Sequence, residues 1–182
     1  MATAYSKIQR NFWETDEARE MTPEEKYFWM YLQTNANVNT LGCYAFRMRK
    51  AMDETGYNRE TLEKLLQRME QVLRILYDEG TKEVFLLHWA EGNWNKKTAT
   101  LRALAADLKE IQSKTLKETV KTLLLKNGIF TEEEVEKAEK TAPSAQERNE
   151  KEQRGTTGNK WSGEGEGEGE GEGEKIYTSK SA

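Results

Sequence analysis

The stretch Thr22-Pro23-Glu24-Glu25-Lys26-Tyr27-Phe28-Trp29-Met30-Tyr31-Leu32 decides the fold. Thr22 supplies a hydroxyl at the N-cap, Pro23 takes the first helical position, and Glu25 completes a capping box, so a helix begins at Pro23. Residues 26–32 are apolar around almost the whole helix, and such a helix is normally enclosed by other elements. We predict that it is the central helix of the core.

A strand and two further helices are predicted downstream of this core helix. The polar residues 33–40 end the core helix, and residues 42–46 are predicted to form a short strand. A second helix is expected over about residues 47–54, and Asn58 caps a third helix through its short polar side chain. The third helix has apolar residues at helical spacing, which predicts a buried stripe of Leu62, Leu65, Leu66, Met69 and Leu73.

Two apolar runs joined by a Gly-containing link predict a β-hairpin. The runs are residues 74–77 and 83–89, and the link is residues 78–82. Runs that are partly β-branched and aromatic favour strands. The predicted order is helix, short strand, helix, turn, helix and hairpin. This order is the winged-helix plan, in which two helices form a helix-turn-helix and the hairpin supplies the wing.

The helical pattern returns after Asn95 and breaks once. The leucine stripe changes its helical phase near Ser113, so we expect two helices, or one helix with a pronounced bend, over residues 98–127. A second capping box is predicted at residues 115–118, and Asn127-Gly128 is predicted to end the second helix.

Composition divides the chain into three parts. Residues 1–95 are the predicted winged-helix domain, and residues 96–130 are a helical extension in which residues 96–126 carry a net charge of +5. Residues 131–182 carry −6, against +2 for residues 1–130. Residues 132–140 predict a marginal helix, whereas six Gly-Glu pairs at 163–174 combine high backbone entropy with like-charge repulsion. We predict that residues 131–182 are a low-complexity, largely disordered tail.

The predicted fold class is therefore mainly α with a small β-hairpin: a winged helix-turn-helix, one or two extra helices and a disordered acidic tail. The tail has two interpretations. It is either a solubilising flexible end, which we favour, or an acidic strand that competes with DNA for the basic helices of the extension. Removing residues 163–174 leaves duplex affinity unchanged in the first case and raises it in the second.

Composition also excludes several classes of function. One cysteine permits no intramolecular disulfide, and one histidine leaves no pair for a Cys/His zinc site. Neither a phosphate-binding loop, a dinucleotide fingerprint nor an acidic metal motif appears, so we expect no enzyme activity, cofactor or metal. The longest apolar runs are far below the ~20 residues of a spanning helix. We expect a cytoplasmic protein without membrane partners.

A distributed set of residues resembles the N-terminal winged-helix domain of phage replisome organisers, the DnaD-like replication initiation proteins. The matching positions cover about residues 8–95. They are Phe12-Trp13, Asp16, Thr22 to Phe28, Tyr31-Leu32, Thr34-Asn35, Gly42-Cys43-Tyr44, Glu54 to Tyr57, Thr81 to Val84, Trp89 and Asn93-Trp94.

The resemblance implies a role in starting phage or prophage DNA replication. Such organisers bind origin DNA, self-assemble and recruit replication or helicase-loading proteins, which places this chain in the host cell cytoplasm. They commonly carry a second helical DnaD-like domain, for which residues 131–182 offer no candidate. Activities of that second domain are therefore not expected here.

Polar residues on the second and third predicted helices and in the wing are the DNA-binding candidates. A recognition helix needs donors that reach base edges and cations that neutralise phosphates. The candidates are Arg47, Arg49, Lys50, Arg59, Lys64, Gln67, Arg68 and Lys82. Acidic residues interrupt the same segments, so the alternative is a solvated face with i,i+4 pairs such as Glu60 with Lys64. Weak, salt-sensitive duplex binding is expected.

The leucine stripes of the helical extension are candidates for self-association. They are Leu101, Leu104, Leu108, Ile111, Leu116, Val120, Leu123 and Leu124. These residues either pack on the winged helix or pair between subunits, with the lysines as ordinary solvation, and this is the role we favour. The alternative is that the basic helices form a second DNA-binding surface, through Lys96, Lys97, Arg102, Lys109, Lys114, Lys117 and Lys121. Other side chains favour plain structural roles. His88 is expected on the surface of an alternating strand, Cys43 is expected to be small and buried, and the aromatic residues of 12–31 are expected in the core rather than stacking on bases.

Two other functions remain open at the level of sequence. One is an oligomeric scaffold that binds replication proteins without contacting DNA. The other is a winged-helix transcriptional regulator. Salt-dependent duplex binding separates the scaffold from the two DNA-binding functions, and a preference for origin or promoter DNA separates those two from each other.

Overall fold

A computed structural model describes residues 10–141 together with Ser6 and Ile8. The winged-helix part contains a 3-10 helix, Arg10–Glu14, followed by α1 (Asp16–Glu20), α2 (Pro23–Thr34), β1 (Cys43–Ala45), α3 (Met48–Thr55), α4 (Arg59–Gln71), β2 (Ile75–Asp78) and β3 (Glu83–Leu86). The rest contains α5 (Trp89–Asn93), α6 (Thr98–Glu110), α7 (Lys114–Lys126) and α8 (Glu132–Thr141). The described part is mainly helical, with one small antiparallel sheet, as predicted.

Helix α2 begins at Pro23 and forms the predicted capping box. The Thr22 hydroxyl accepts a hydrogen bond from the Glu25 amide at 3.2 Å, and the Glu25 carboxylate accepts one from the Thr22 amide at 2.8 Å. Phe28 and Leu32 are completely buried. The prediction of a central core helix is confirmed.

Helix α4 presents the predicted stripe to the core, except at its last member. Asn58 caps the helix by accepting a hydrogen bond from the Thr61 amide at 2.9 Å. The residues Leu62, Leu65, Leu66 and Met69 are buried. Leu73, predicted to be buried, is 67% exposed. The helix ends at Gln71, and Leu73 adopts a positive φ of 53°, so the chain turns before another residue can continue the stripe.

The sheet has three antiparallel strands in the order β1-β3-β2. The predicted hairpin of β2 and β3 is confirmed, and β1 pairs with the free edge of β3. Strand β3 ends at Leu86 instead of continuing to Trp89. The prediction that His88 lies on a strand is therefore wrong. His88 precedes α5, and Trp89 leaves the strand direction to donate a hydrogen bond from its indole to the Thr40 carbonyl at 3.0 Å.

Cross-strand partners divide the sheet into two faces, because directly opposite residues point to the same side. Tyr44, Val84 and Tyr77 share the face toward α2, where the Tyr44 hydroxyl donates to the Leu32 carbonyl at 2.6 Å. The row of Ala45, Glu83 and Asp78 belongs to the opposite face.

The helical extension covers this second face. Glu83 is only 5% exposed, and its carboxylate accepts hydrogen bonds from the amides of Gln112 and Ser113 in the connection between α6 and α7. Asp107 of α6 accepts a hydrogen bond from the Thr40 amide at 2.8 Å. The sheet therefore lies between two helical layers, and the extension shares one hydrophobic core with the winged helix.

Ser113 is the point at which α6 ends and α7 begins, as the change of phase predicts. The predicted capping box at residues 115–118 is wrong. Ser113 is the N-cap, and its hydroxyl accepts a hydrogen bond from the Leu116 amide at 3.2 Å, whereas Thr115 is an exposed residue of the first turn. The predicted stop is confirmed, since Asn127 caps α7 and Gly128 follows with a positive φ of 58°.

Helix α8 forms where residues 132–140 predict a marginal helix. Its buried residues are Val135 and Ala138, and the helix packs on α6. The first part of residues 131–182 therefore joins the folded structure. The Gly-Glu pairs at 163–174, and the predictions made for them, lie outside the described residues.

Candidate nucleic-acid interface

The polar face of α4 points away from the core. It consists of Arg59, Glu60, Lys64, Gln67, Arg68 and Gln71, all of which are exposed. The buried stripe anchors the opposite side of the helix, and the β2–β3 hairpin follows α4 directly along the chain. The helix and the hairpin are also in contact, since the Tyr77 amide of β2 donates a hydrogen bond to the Glu70 carboxylate of α4 at 2.9 Å.

Each cation on this face has a carboxylate partner. Lys64 lies 2.7 Å from Glu60, and Arg59 lies 3.5 Å from Glu63. The hydrogen bond and the charge of Lys64 lower the pKa of Glu60. These are the i,i+4 pairs of the solvated-face interpretation, and because both partners are exposed to solvent, the pairs add little stability.

Arg68 is held by a residue of another helix. Its Nε donates to the Glu25 carboxylate at 2.9 Å, and Glu25 is buried. The same carboxylate caps α2 through the Thr22 amide. Arg68 therefore joins α4 to α2, and of the four α4 candidates only Gln67 is uncharged and exposed without an ion pair.

The candidates on α3 differ from one another. Lys50 lies 3.6 Å from Glu54, which also accepts the hydroxyl hydrogen bond of Tyr31 at 2.8 Å. Arg47 and Arg49 are exposed at the start of α3. Within residues 10–141, no carboxylate oxygen lies within 4.0 Å of either guanidinium. These two arginines can contact phosphate without breaking an ion pair.

The wing is compact and carries the last candidate, Lys82. Lys82 lies 3.8 Å from Glu79, and its carbonyl accepts a hydrogen bond from the Phe46 amide at 2.7 Å. Asp78 accepts hydrogen bonds from the amides of Gly80 and Thr81, which close the turn. The Ser113 hydroxyl and these amides lower the pKa of Asp78.

Two acidic residues of the hairpin have a role that the sequence does not reveal. Glu83 and Asp78 lie in the hairpin, and both carboxylates bind the start of α7. The Ser113 hydroxyl donates to Asp78, and the Ser113 amide donates to Glu83. A serine followed by a helical pattern is the only local signal of this contact, since its partners are about 30 residues away in the chain.

The candidates for self-association lie mainly inside the subunit. Leu101 and Leu123 are partly buried against the core. The other six are buried: Leu104, Leu108, Ile111, Leu116, Val120 and Leu124. The stripes therefore pack on the winged helix, which is the first of the two roles that the sequence allows.

The aromatic residues of the N-terminal part are divided between the core and the surface. Phe12, Phe28 and Trp29 are buried as expected. Trp13 is 63% exposed, with the Lys26 ammonium 5.9 Å from its ring, and Tyr27 is 47% exposed and contacts Tyr57 edge-on. Helical spacing does not separate these two residues from their buried neighbours.

The remaining reactive side chains occupy unreactive surroundings. Cys43 is buried, and burial raises the pKa of its thiol, while His88 is exposed beside Glu91 at 3.3 Å. Across the described residues, no group of three or more His, Cys, Asp or Glu is arranged to hold a metal ion. None of the described helices has both the length and the apolar character that crossing a membrane requires.

No protein-family model, curated protein or solved structure matches this chain.

Proposed function

We propose that this protein is a replisome organiser-like winged-helix protein that binds duplex DNA and assembles replication proteins when phage or prophage DNA replication begins. The observation that carries the proposal is the exposed polar face of α4, which stands beside a formed wing. The resemblance of residues 8–95 to phage replisome organisers supports the choice of replication. The protein acts in the host cytoplasm, on origin DNA, with other copies of itself and with helicase-loading proteins.

The chemistry of α4 suits a major groove about 12 Å wide, which admits one helix. The Gln67 amide offers both a donor and an acceptor, the pair that matches an adenine edge. Arg59 and Lys64 reach phosphates by leaving Glu63 and Glu60. Because each such contact replaces one ion pair with another, the net gain in binding free energy is small.

The same pairing predicts weak affinity. Counterion release makes the logarithm of the binding constant fall by about 0.9 per phosphate contact for each logarithmic unit of salt. An α4 face with equal numbers of cations and nearby carboxylates supports few such contacts. We therefore expect duplex binding that is detectable in dilute buffer and lost near physiological salt.

Fluorescence anisotropy with a labelled duplex of about 20 base pairs tests the proposal. In the full chain, the double variant Arg59→Gln and Lys64→Gln should bind at least about 10-fold more weakly at low salt, because Glu60 and Glu63 then repel the phosphates. The matched control, Lys97→Gln with Lys126→Gln, removes the same charge from exposed sites elsewhere. It should stay within about 2-fold of the natural chain. Absence of any binding in dilute buffer rejects the proposal.

A scaffold that does not contact DNA is the second candidate. The neutral α4 face favours it, as do the exposed rings of Trp13 and Tyr27, since aromatic residues are enriched in protein interfaces. This function predicts capture of replication proteins by a chain that has no duplex affinity. Replacing Trp13 with Ala would then abolish capture, whereas it leaves the α4 contact with DNA intact.

A further inference from the structure

Cations from three separate elements lie at one end of the sheet. The last row of the sheet consists of Ala45, Glu83 and Asp78. Just beyond it, the Phe46 amide donates to the Lys82 carbonyl at 2.7 Å. Arg47, the next residue along the chain, therefore lies at the same end of the sheet as Lys82.

The helical extension reaches this end as well. The Ser113 amide lies 2.7 Å from the Glu83 carboxylate, and the Ser113 hydroxyl donates to Asp78. Lys114 directly follows Ser113 and is exposed. The Lys117 ammonium lies 3.5 Å from the Lys109 carbonyl at the end of α6, which keeps it beside the connection between the two helices.

We call Arg47, Lys82, Lys114 and Lys117 the basic rim. Among the acids near it, Glu83 is buried and Asp78 accepts three hydrogen bonds, whereas Glu110 and Glu118, on either side of this turn in the chain, are exposed. Glu79 is the exposed acid of the wing, 3.8 Å from Lys82. Among residues 10–141, no carboxylate oxygen lies within 4.0 Å of Arg47, Lys114 or Lys117. The rim thus differs from α4, whose cations are all paired.

We propose that the basic rim holds the phosphates of duplex DNA, so that α7 of the helical extension is part of the DNA-binding surface. The inference rests on the proposed function and names where its electrostatic affinity comes from. A cation without a carboxylate partner gains the whole phosphate interaction, whereas the α4 cations must first leave their glutamates. The buried contacts of Glu83 and Asp78 fix the start of α7 beside the wing and so hold the rim in one geometry.

The test is a salt titration of duplex binding by the full chain. The double variant Lys114→Gln with Lys117→Gln should reduce the slope of log affinity against log salt by about 2, and lower the affinity at least about 10-fold in dilute buffer. Lys114→Arg with Lys117→Arg should restore the slope, because the charge returns. Circular dichroism checks that every variant keeps its helices.

The control Lys97→Gln with Lys126→Gln removes the same charge away from the rim: Lys126 is at the other end of α7, roughly 18 Å from Lys114 by the helical rise, and Lys97 is the N-cap residue at the start of α6. Its slope should equal that of the natural chain. If the natural chain binds DNA and the rim variant has the same salt slope as this control, the proposal that the rim holds phosphates is overturned, while the proposed function stands. If the natural chain does not bind DNA at all, both fail.

Discussion

Among the glycines that the structure describes, Gly42 is the one at which an added side chain would clash most severely. Its φ is +73°, and a Cβ built there would lie 2.4 Å from the Trp89 ring. Gly42→Ala should therefore lower the free energy of unfolding by at least about 3 kcal/mol, since strain and overpacking add. Gly56 is the matched control: its φ is +77°, but a Cβ there meets nothing within 4 Å.

Gly56→Ala should cost only the conformational strain, about 1–2 kcal/mol. Urea denaturation of both variants measures the difference. Equal losses would show that Trp89 does not pack over Gly42.

The Asp78 carboxylate should make stability depend on pH. The hydrogen bond from Ser113 lowers its pKa in the folded state. A lowered folded pKa means that the stabilisation is complete above the unfolded pKa of about 3.9 and is lost as pH falls through the folded value. Asp78→Asn should therefore destabilise the protein at neutral pH and lose this effect in acid.

Urea denaturation at neutral and at strongly acid pH measures this change. Asp53→Asn, which removes the same charge from an exposed residue of α3, is the control. If Asp78→Asn lowers the free energy of unfolding as much in acid as at neutral pH, the ionised Asp78 carboxylate is not the source of the stabilisation.

Glu25 shows how far residue-level reasoning extends. Its capping role is a local pattern, readable from Thr22 three positions earlier. Its bond to Arg68 is not, because that partner is 43 residues away and depends on how α2 and α4 pack. The sequence therefore selects Arg68 as a candidate for DNA contact but cannot reveal that a buried carboxylate already holds it.

At the scale of elements, the start of α7 gives the sharpest prediction. Ser113→Ala removes the N-cap, worth about 1 kcal/mol, and also the hydrogen bond from the hydroxyl to Asp78. We expect a loss of at least about 1 kcal/mol in the free energy of unfolding. Thr115→Ala, at the position that the sequence favours for the cap, should change it by less than about 0.5 kcal/mol. Thermal unfolding compares the two, and a larger loss at Thr115 would overturn the assignment.

The elements themselves are well predicted where the signal is local. The structure confirms the helices that are predicted from periodicity, from the start signals Pro23 and Asn58, and from the stop at Asn127-Gly128. The errors occur where tertiary contacts decide. Strand β3 ends early because Trp89 turns back over Gly42, and Ser113 becomes the cap because its hydroxyl and amide also bind the hairpin.

At the scale of the whole molecule, residues 96–141 should be required for folding. They cover one face of the sheet, and without them Cys43 and Phe85 lose their cover while Glu83 loses its hydrogen-bond donors. A chain ending at Asn95 should show no cooperative thermal unfolding, whereas a chain ending at Thr141 should unfold cooperatively. Circular dichroism melting curves decide between these outcomes. Cooperative unfolding of the shorter chain would show that residues 10–95 are an independent domain.

The winged-helix order was predictable because each element has its own signal, but the layered arrangement was not. The leucine stripes of residues 101–124 are equally suited to a subunit interface and to the back of a sheet. Only the register of β3, which directs Glu83 toward the extension, distinguishes these roles. The DNA-binding candidates were selected by residue type, and their ion pairs became visible only in the packed molecule.

Hydrogen exchange of the full chain, measured with and without duplex DNA in dilute buffer, tests the central claim most directly. Contact through α4, the wing and the start of α7 predicts added protection in residues 59–71, 78–83 and 112–117. No change is expected in α8, which packs on α6 and carries none of the proposed DNA contacts. Unchanged exchange throughout α4 and the wing, in a sample where DNA is bound, would contradict the winged-helix mode of binding.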